Sequence, residues 1–272
     1  MNYNELIKRL SKISPSEYEY EAKVLIEAYT DHKISYFLNR RTEDIVSSEL
    51  ENALVKREEH IPLQYVIGKW DFFKQTYFVD ENCLIPRPDT EILVEKAIEL
   101  LPPNAFFADL CTGSGCIAIS TLCERLDTKA VMVDKFPKTL DIAIKNAISN
   151  QVMNRVEPML FDVLSEEENF NGKQFDAILS NPPYIRPEVI EELSDEVNHE
   201  PYAALYGGDD GLIFYRKIIK DYSRYLKNDG FFLFEIGYDQ GEEIRAIASE
   251  YGFCCEIIKD YGKNDRVAYI KK

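Results

Sequence analysis

From Thr90 to the end, the chain alternates strand-like and helix-like stretches, and no other feature of it restricts the fold as strongly. TEILVEKAIELL puts Leu93, Val94, Ala97, Ile98 and Leu101 on one helical face, with Thr90 placed to cap it and Pro102-Pro103 to stop it. AFFADL reads as a first strand and is followed by a glycine-rich turn and an apolar helix reaching about Leu126. KAVMVD, EPMLFD and FDAILS read as the second to fourth strands, with a helix marked by Leu140, Ala143, Ile144, Ala147 and Ile148 after the second. GLIFYRKIIKDYSRYLK reads as a helix, DGFFLFEI as a fifth strand, residues near 239–251 as a helix, and FCCEIIKD and RVAYIKK as two closing strands. Alternation of this kind specifies an α/β fold with a mainly parallel sheet covered by helices on both faces. Ligands in such sheets bind at the carboxyl ends of the strands, so those ends are where chemistry is expected.

The first third of the chain has a different texture. Residues 1–60 lack strand-like alternation, and Leu6, Leu10 and Ile13, then Val24, Leu25, Ala28 and Tyr29, recur at helical spacing, which predicts a small all-helical N-terminal domain. Residues 61–89 alternate and carry aromatics, broken by Gly68 and a DEN turn, and predict a β-hairpin connector that Pro86 and Pro88 stiffen at its exit. Residues 90–272 form the α/β domain. With 32 Lys+Arg against 48 Asp+Glu the net charge is −16, and no basic run exceeds two residues, which argues against a broad nucleic-acid-binding face. MNYNELIKRLSKIS has no apolar signal core and the chain has no long apolar run, so a cytoplasmic protein without a membrane partner is expected. The six cysteines show no CxxC or Cys/His ligand pairing and read as reduced packing residues, with no metal site. Nothing in the sequence demands more than a monomer.

Two segments carry the chemistry. ADLCTGSGCIAI runs from a strand through Gly113 and Gly115 into a helix, a turn in which backbone can approach a ligand and helix N–H groups can meet an anion or a polar tail. Alone it also fits a dinucleotide fingerprint or a plain structural turn. Asp109, four residues before Gly113, would repel a pyrophosphate and could instead hold an ammonium; Asp134 at the second strand end suits ribose hydroxyls; Asp162 at the third is in reach of an adenine amino group. A ligand with an ammonium, a ribose and an adenine uses all three, which describes S-adenosylmethionine better than NAD.

SNPPYI ends the fourth strand, beside the first in a doubly wound sheet. The Asn181 side-chain oxygen and the Pro182 carbonyl can accept hydrogen bonds from a planar NH2 group, because the Pro182-Pro183 pair keeps the chain out of ladder pairing. Tyr184 offers a flat face for that group to stack on. Methyl transfer from a sulfonium is mainly a positioning problem, so such a holder needs no strong base.

The DLCTGSG turn followed by NPPY resembles the amino-methyltransferases, which act on adenine N6 or on protein glutamine. LIPRPDTE at 84–91, SNPPYI at 180–185, EPYAAL at 200–205 with GGDDG after it, and DYGKNDRV at 260–267 narrow the resemblance to the release factor glutamine methyltransferase family, called PrmC or HemK. The resemblance spans essentially the whole chain. It implies a class I, Rossmann-like S-adenosylmethionine-dependent methyltransferase with a final antiparallel strand, acting on the Gly-Gly-Gln glutamine N5 of class-1 peptide chain release factors. By position it implies a cofactor loop of Cys111, Thr112, Gly113, Ser114 and Gly115 after Asp109, with Asp134 for the ribose, Asp162 and Val163 near adenine, Arg87 and Thr90 near the methionine end, and Asn181 as a further cofactor contact. Asn181, Pro182 and Tyr184 are the catalytic candidates, and with Pro183 they would seat the glutamine. The N-terminal domain of the family is held to contact the release factor.

Two positions depart from that pattern. Cys111 stands where the loop commonly starts with Gly, so its backbone must avoid positive φ or accept strain. Val163 stands where relatives can carry an aromatic. Two rival functions share the pocket: an adenine-N6 nucleic-acid methyltransferase, disfavoured by the acidic charge, and a non-catalytic S-adenosylmethionine-binding module, disfavoured by the intact Asn181-Pro182-Pro183-Tyr184. An NAD oxidoreductase fails on Asp109.

Overall fold

The computed structural model describes residues 1–166 and 170–272, which fall into two compact units, Met1–Lys69 with Ser194–His199 and Trp70–Leu193 with Glu200–Lys272. The first unit is helical: α1 (Tyr3–Ile13), α2 (Tyr18–Tyr29), α3 (Ile34–Leu38), α4 (Ser48–Glu58) and α5 (Leu63–Ile67). Asn2 caps α1 by accepting from the Glu5 N–H at 3.1 Å, and Ser47 caps α4 by accepting from that of Leu50 at 3.1 Å. Leu6, Leu10, Leu25, Ile26, Leu50 and Leu54 are wholly buried between the first, second and fourth helices.

The hairpin expected over 61–89 is shorter in the structure. Leu63 and Val66, three apart and both buried, wind the start of that stretch into α5, and Gly68 ends it with φ of 73°. The hairpin is β1 (Lys69–Phe72) with β2 (Gln75–Phe78). A distant segment also joins the helical unit. Arg57, with 0% exposure, donates to both Glu21 oxygens at 2.9 and 2.8 Å and to Glu196 at 2.7 Å. A buried guanidinium needs such partners, and no local periodicity marks residues 194–199 as belonging there.

The second unit continues with α6 (Glu91–Leu100), β3 (Phe106–Leu110), α7 (Cys116–Glu124), β4 (Lys129–Asp134), α8 (Pro137–Ser149), β5 (Val156–Leu160), β6 (Phe175–Ser180), α9 (Pro187–Ile190), α10 (Tyr202–Leu205), α11 (Ile213–Lys217), β7 (Leu226–Glu235), α12 (Gly241–Glu250), β8 (Cys254–Lys259) and β9 (Asp265–Lys271). Beyond α11 the expected single helix changes winding, first to a π turn at Ile218–Tyr222 and then to a 3-10 turn at Ser223–Tyr225. Tyr222 meanwhile stays fully buried, its hydroxyl donating to the Val163 carbonyl at 3.1 Å.

The sheet runs β5-β4-β3-β6-β7-β9-β8, parallel except for β9, which is antiparallel to both its neighbours. The α/β expectation, with one antiparallel strand near the end, therefore holds. Apolar side chains fill both faces: Phe107, Met132, Leu179 and Leu233 on one, Leu110, Val131, Ile178 and Phe234 on the other. Strand order turns outward on both sides of β3, which pairs with β4 and β6. Leu110 is level with Val133 on one side and Ser180 on the other, so three strands end together at the switch point. No helix among the described residues is long and apolar enough to cross a membrane.

Candidate methyl-transfer site

A cavity of about 850 Å³, its mouth included, opens at that level edge. Its wall includes Cys111, Thr112, Gly113 and Ser114 from the turn after β3, Asp134 at the end of β4 with Phe136 beyond it, and Asp162 and Val163 after β5. Asn181 and Pro183 from the end of β6, and Arg87 and Thr90 from the approach to α6, complete it. Residues as distant in the chain as Leu84 and Pro183 thus reach one edge, because the parallel sheet levels its strand ends.

The turn after β3 is tied from beneath. Asp109 is fully buried; its Oδ2 accepts from the Thr112 hydroxyl at 2.7 Å and the Ala118 N–H at 3.2 Å, while its Oδ1 has no hydrogen-bond partner. Burial pushes its carboxyl up to about 7. Asp109 is therefore behind the turn, and the expectation that it faces a ligand's ammonium does not match its placement. Gly115 is also behind the wall, with φ of 82° and room for a Cβ only 2.8 Å from the Ile119 side chain. Cys111 resolves its alternative in favour of strain, with φ of 56°.

Asp134 is nearly buried and accepts from the Gly113 N–H at 3.1 Å and the Phe136 N–H at 3.0 Å. Burial raises its pKa, against those N–H groups and Lys135, which lower it. Asp162 is more open, accepting from the Leu164 N–H at 2.9 Å with Lys135 3.7 Å away. Val163 is buried, and Phe136, 42% exposed, brings an aromatic ring to the same cavity wall. Phe136 was not singled out from the sequence; its signal was its position two residues beyond a strand-ending Asp.

The SNPPYI segment is held on several sides. The Ser180 hydroxyl donates to the Leu110 carbonyl at 2.6 Å, locking the ends of β6 and β3 together. The Ile185 N–H donates to the Leu205 carbonyl at 2.9 Å, and the Gly207 N–H to the Ile185 carbonyl at 3.0 Å. The Gln240 amide donates to the carbonyls of Tyr184 and Gly211 at 3.1 and 3.2 Å. Among the described residues, no hydrogen bond reaches the Pro182 carbonyl or the Asn181 Oδ1, while Asn181 Nδ2 donates to the Thr90 hydroxyl at 3.3 Å. Thr90 makes no side-chain cap of α6, contrary to expectation, because its hydroxyl is turned to Asn181. Pro182 is buried, and the Tyr184 hydroxyl donates to Glu235 Oε1 at 3.3 Å.

The outlying motifs converge as supports. Glu200, 5% exposed, pairs with Arg87 and accepts from the Ile85 N–H at 3.1 Å, so EPYAAL anchors LIPRP. Arg266 bridges Asp89 and Asp260 at 3.1 Å each, so DYGKNDRV anchors the other half of LIPRPDTE. A Cβ on Gly207 would be 2.5 Å from the Tyr184 Cα, and one on Gly211 2.5 Å from the Tyr184 carbonyl oxygen. GGDDG is thus the surface against which the NPPY backbone is pressed.

A parallel sheet with one late antiparallel strand, a glycine turn at its switch point and acids at successive strand ends define a class I methyltransferase fold. A methyltransferase from Pyrococcus furiosus shares it, at TM-score 0.53 and 17% identity, over 72% of this chain and 87% of that one. Residues 88–200 match the Methyltransferase small domain and residues 3–68 the PrmC N-terminal domain. The release factor glutamine methyltransferase of Aquifex aeolicus is 33% identical over 272 residues, 98% of this chain and 95% of its own. That of Fusobacterium nucleatum subsp. nucleatum is 38% identical over 248 residues, 88% of this chain and 68% of its own. The chain belongs to the release factor glutamine methyltransferase family.

Proposed function

We propose that this chain methylates the side-chain nitrogen N5 of a glutamine, that of the Gly-Gly-Gln motif of class-1 peptide chain release factors, with S-adenosylmethionine as donor. The observation that carries the reading is the pair of unpartnered acceptors, Asn181 Oδ1 and the Pro182 carbonyl, at the end of a clamped strand. A primary amide has two N–H groups to give, and these are two fixed acceptors for them.

The residues present fit the donor. Asp134 would accept from the ribose hydroxyls, Asp162 and Val163 with Phe136 would border the adenine, and the Cys111–Gly115 turn would offer backbone to the methionine part. Asp109 contributes by holding that turn, and Arg87 and Thr90 lie toward the methionine end. When bound, the cofactor supplies an electrophilic methyl on a sulfonium. Asn181 and Pro182 orient the amide so that its nitrogen lone pair faces that methyl, which is worth most of the rate in a reaction governed by alignment. Transfer would form the nitrogen–carbon bond as the donor's sulfur–carbon bond breaks, with the proton lost from nitrogen passing to solvent. Tyr184 and Pro183 exclude water from one side of the amide. A monomer acting in the cytoplasm, with the helical unit engaging the protein substrate and no direct nucleic-acid contact, completes the reading; the −16 charge supports the last point.

Purified protein incubated with methyl-labelled S-adenosylmethionine, a bacterial release factor and an adenine-containing duplex tests it. Label on the release factor, mapped to the Gly-Gly-Gln glutamine, is expected. Label on the duplex alone would replace this reading with the adenine-N6 one.

A further inference from the structure

We propose that Gln240 is a positioning residue for transfer: its buried amide ties both Tyr184 and Gly211 to the end of β7 and so sets where Asn181 and the Pro182 carbonyl meet the substrate nitrogen. The inference rests on the glutamine reading above and adds a residue to it.

Gln240 stands at the N-cap of α12, a place that favours Ser, Thr, Asp or Asn because their short side chains reach back to the first helix N–H groups. Its side chain makes no such cap. It is 5% exposed and turns instead into the gap between three segments. Nε2 donates to the Tyr184 carbonyl at 3.1 Å and to the Gly211 carbonyl at 3.2 Å, and Oε1 accepts from the Gly237 N–H at 2.9 Å. Two carbonyls that need donors and one N–H that needs an acceptor admit only one orientation of the amide. Space is reserved for it as well: a Cβ on Gly211 would be 2.7 Å from Nε2, and one on Gly237 3.0 Å from Oε1.

The place of these bonds along the chain gives them their consequence. Ser180, the last residue of β6, is fixed by its hydroxyl on Leu110, and Tyr184 is fixed by Gln240. Between them run Asn181, Pro182 and Pro183, and the two proline rings leave little freedom of φ. A segment held at both ends and stiff in the middle presents its free acceptors at set positions, and a shift at Tyr184 is passed on to Pro182. The bonds of Ile185 with Leu205 and Gly207 join one loop to another and do not by themselves fix either to the sheet. Gln240 does so, because Gly237 follows Ile236, whose N–H donates to the Arg266 carbonyl of β9 at 2.9 Å. The other polar ties on that side are weaker. The Tyr184 hydroxyl is 3.3 Å from Glu235, long for a hydroxyl bond, and the Arg186–Asp239 ion pair is exposed.

Wild type, Gln240→Glu and Gln240→Asn are compared for kcat on a release factor and, by calorimetry, for the affinity and stoichiometry of S-adenosylmethionine binding. The glutamate keeps the shape and the acceptor for Gly237 but, ionised, has no proton for Tyr184 or Gly211. The asparagine is one methylene shorter and cannot span the two carbonyls, yet it suits an N-cap, so a role confined to starting α12 would survive it. Each kcat is taken per cofactor-binding site: misfolded protein lowers the number of sites, whereas a displaced NPPY backbone slows the sites that remain. Both variants should lose roughly ten- to hundredfold in kcat per site, with cofactor affinity within a few-fold of wild type. Q240N decides the matter if Q240E binds no cofactor. A kcat per site equal to wild type in either variant, or a loss of cofactor affinity as large as the loss of kcat, would overturn the inference and leave the glutamine reading standing. A wild type that transfers nothing to the release factor would overturn that reading and this inference with it.

Discussion

Asn181 and Cys111 show how single positions divide the labour at the site. Asn181 leaves its Oδ1 without a partner among the described residues and spends its donor on Thr90. Replacing it with alanine should abolish transfer, by a hundredfold or more on the order of a lost positioning contact, and leave cofactor affinity nearly unchanged in calorimetry. An equal loss of affinity would assign Asn181 to the cofactor instead. Cys111 holds φ of 56°, which costs a non-glycine residue about 1–3 kcal/mol. Cys111→Gly relieves that strain and gives up a partly buried side chain, so its stability in urea should stay within about 1 kcal/mol of wild type. Cys111→Val adds a β-branch where positive φ is hardest to bear and should destabilise by about 2–3 kcal/mol. A valine variant as stable as the glycine one would mean that the turn relaxes out of the left-handed region.

Elements explain why some of the site was legible and some was not. Strand ends are marked by period and by Asp or Asn at their limits, so Asp134, Asp162, Val163 and Asn181 could be placed at one edge from the sequence alone, and the cavity has them there. Depth is not marked: a turn residue on the wall and one beneath it have the same spacing, and Asp109 and Gly115 proved to lie beneath. Long-range support is not marked either. Nothing near Glu200 or Arg266 in the chain says that they brace LIPRPDTE, because an ion pair is a property of two elements and not of one. The same holds for Gly207, whose need for a bare Cα is set by Tyr184, twenty-three positions earlier. Gly207→Ala must push the NPPY backbone off its seat, since a Cβ would be 2.5 Å from Tyr184 Cα. Turnover should fall at least about tenfold with cofactor affinity within a few-fold of wild type. Normal turnover would show that the clamp has slack.

The whole molecule inherits a pH dependence from the way a parallel sheet gathers its strand ends. Asp109, the last residue but one of β3, is fully buried, and its carboxyl rises from an ordinary 3.8 to about 7 because the charged form loses water. A carboxyl whose pKa is raised on folding binds its proton more tightly in the native chain. Its contribution to stability is therefore complete below about pH 4 and is lost as pH climbs through about 7. The effect is on the order of a few kcal/mol, since each tenfold gain in proton affinity is worth about 1.36 kcal/mol. Self-repulsion of a chain at −16 works in the same direction as pH rises, so the wild-type trend alone would not isolate Asp109. Asp109→Asn does isolate it, because the amide keeps an oxygen for Thr112 and Ala118 and cannot ionise. Trp70, the one tryptophan, lies in the sheet-bearing unit and reports its unfolding by fluorescence. Urea titrations of the two ligand-free proteins at pH 5 and pH 8 should show the wild type losing more stability than the variant between them, with the variant equal or more stable at pH 8. Parallel losses in both proteins would mean that Asp109 ionises freely despite its burial, and that water or a rearranged turn reaches its unpartnered oxygen.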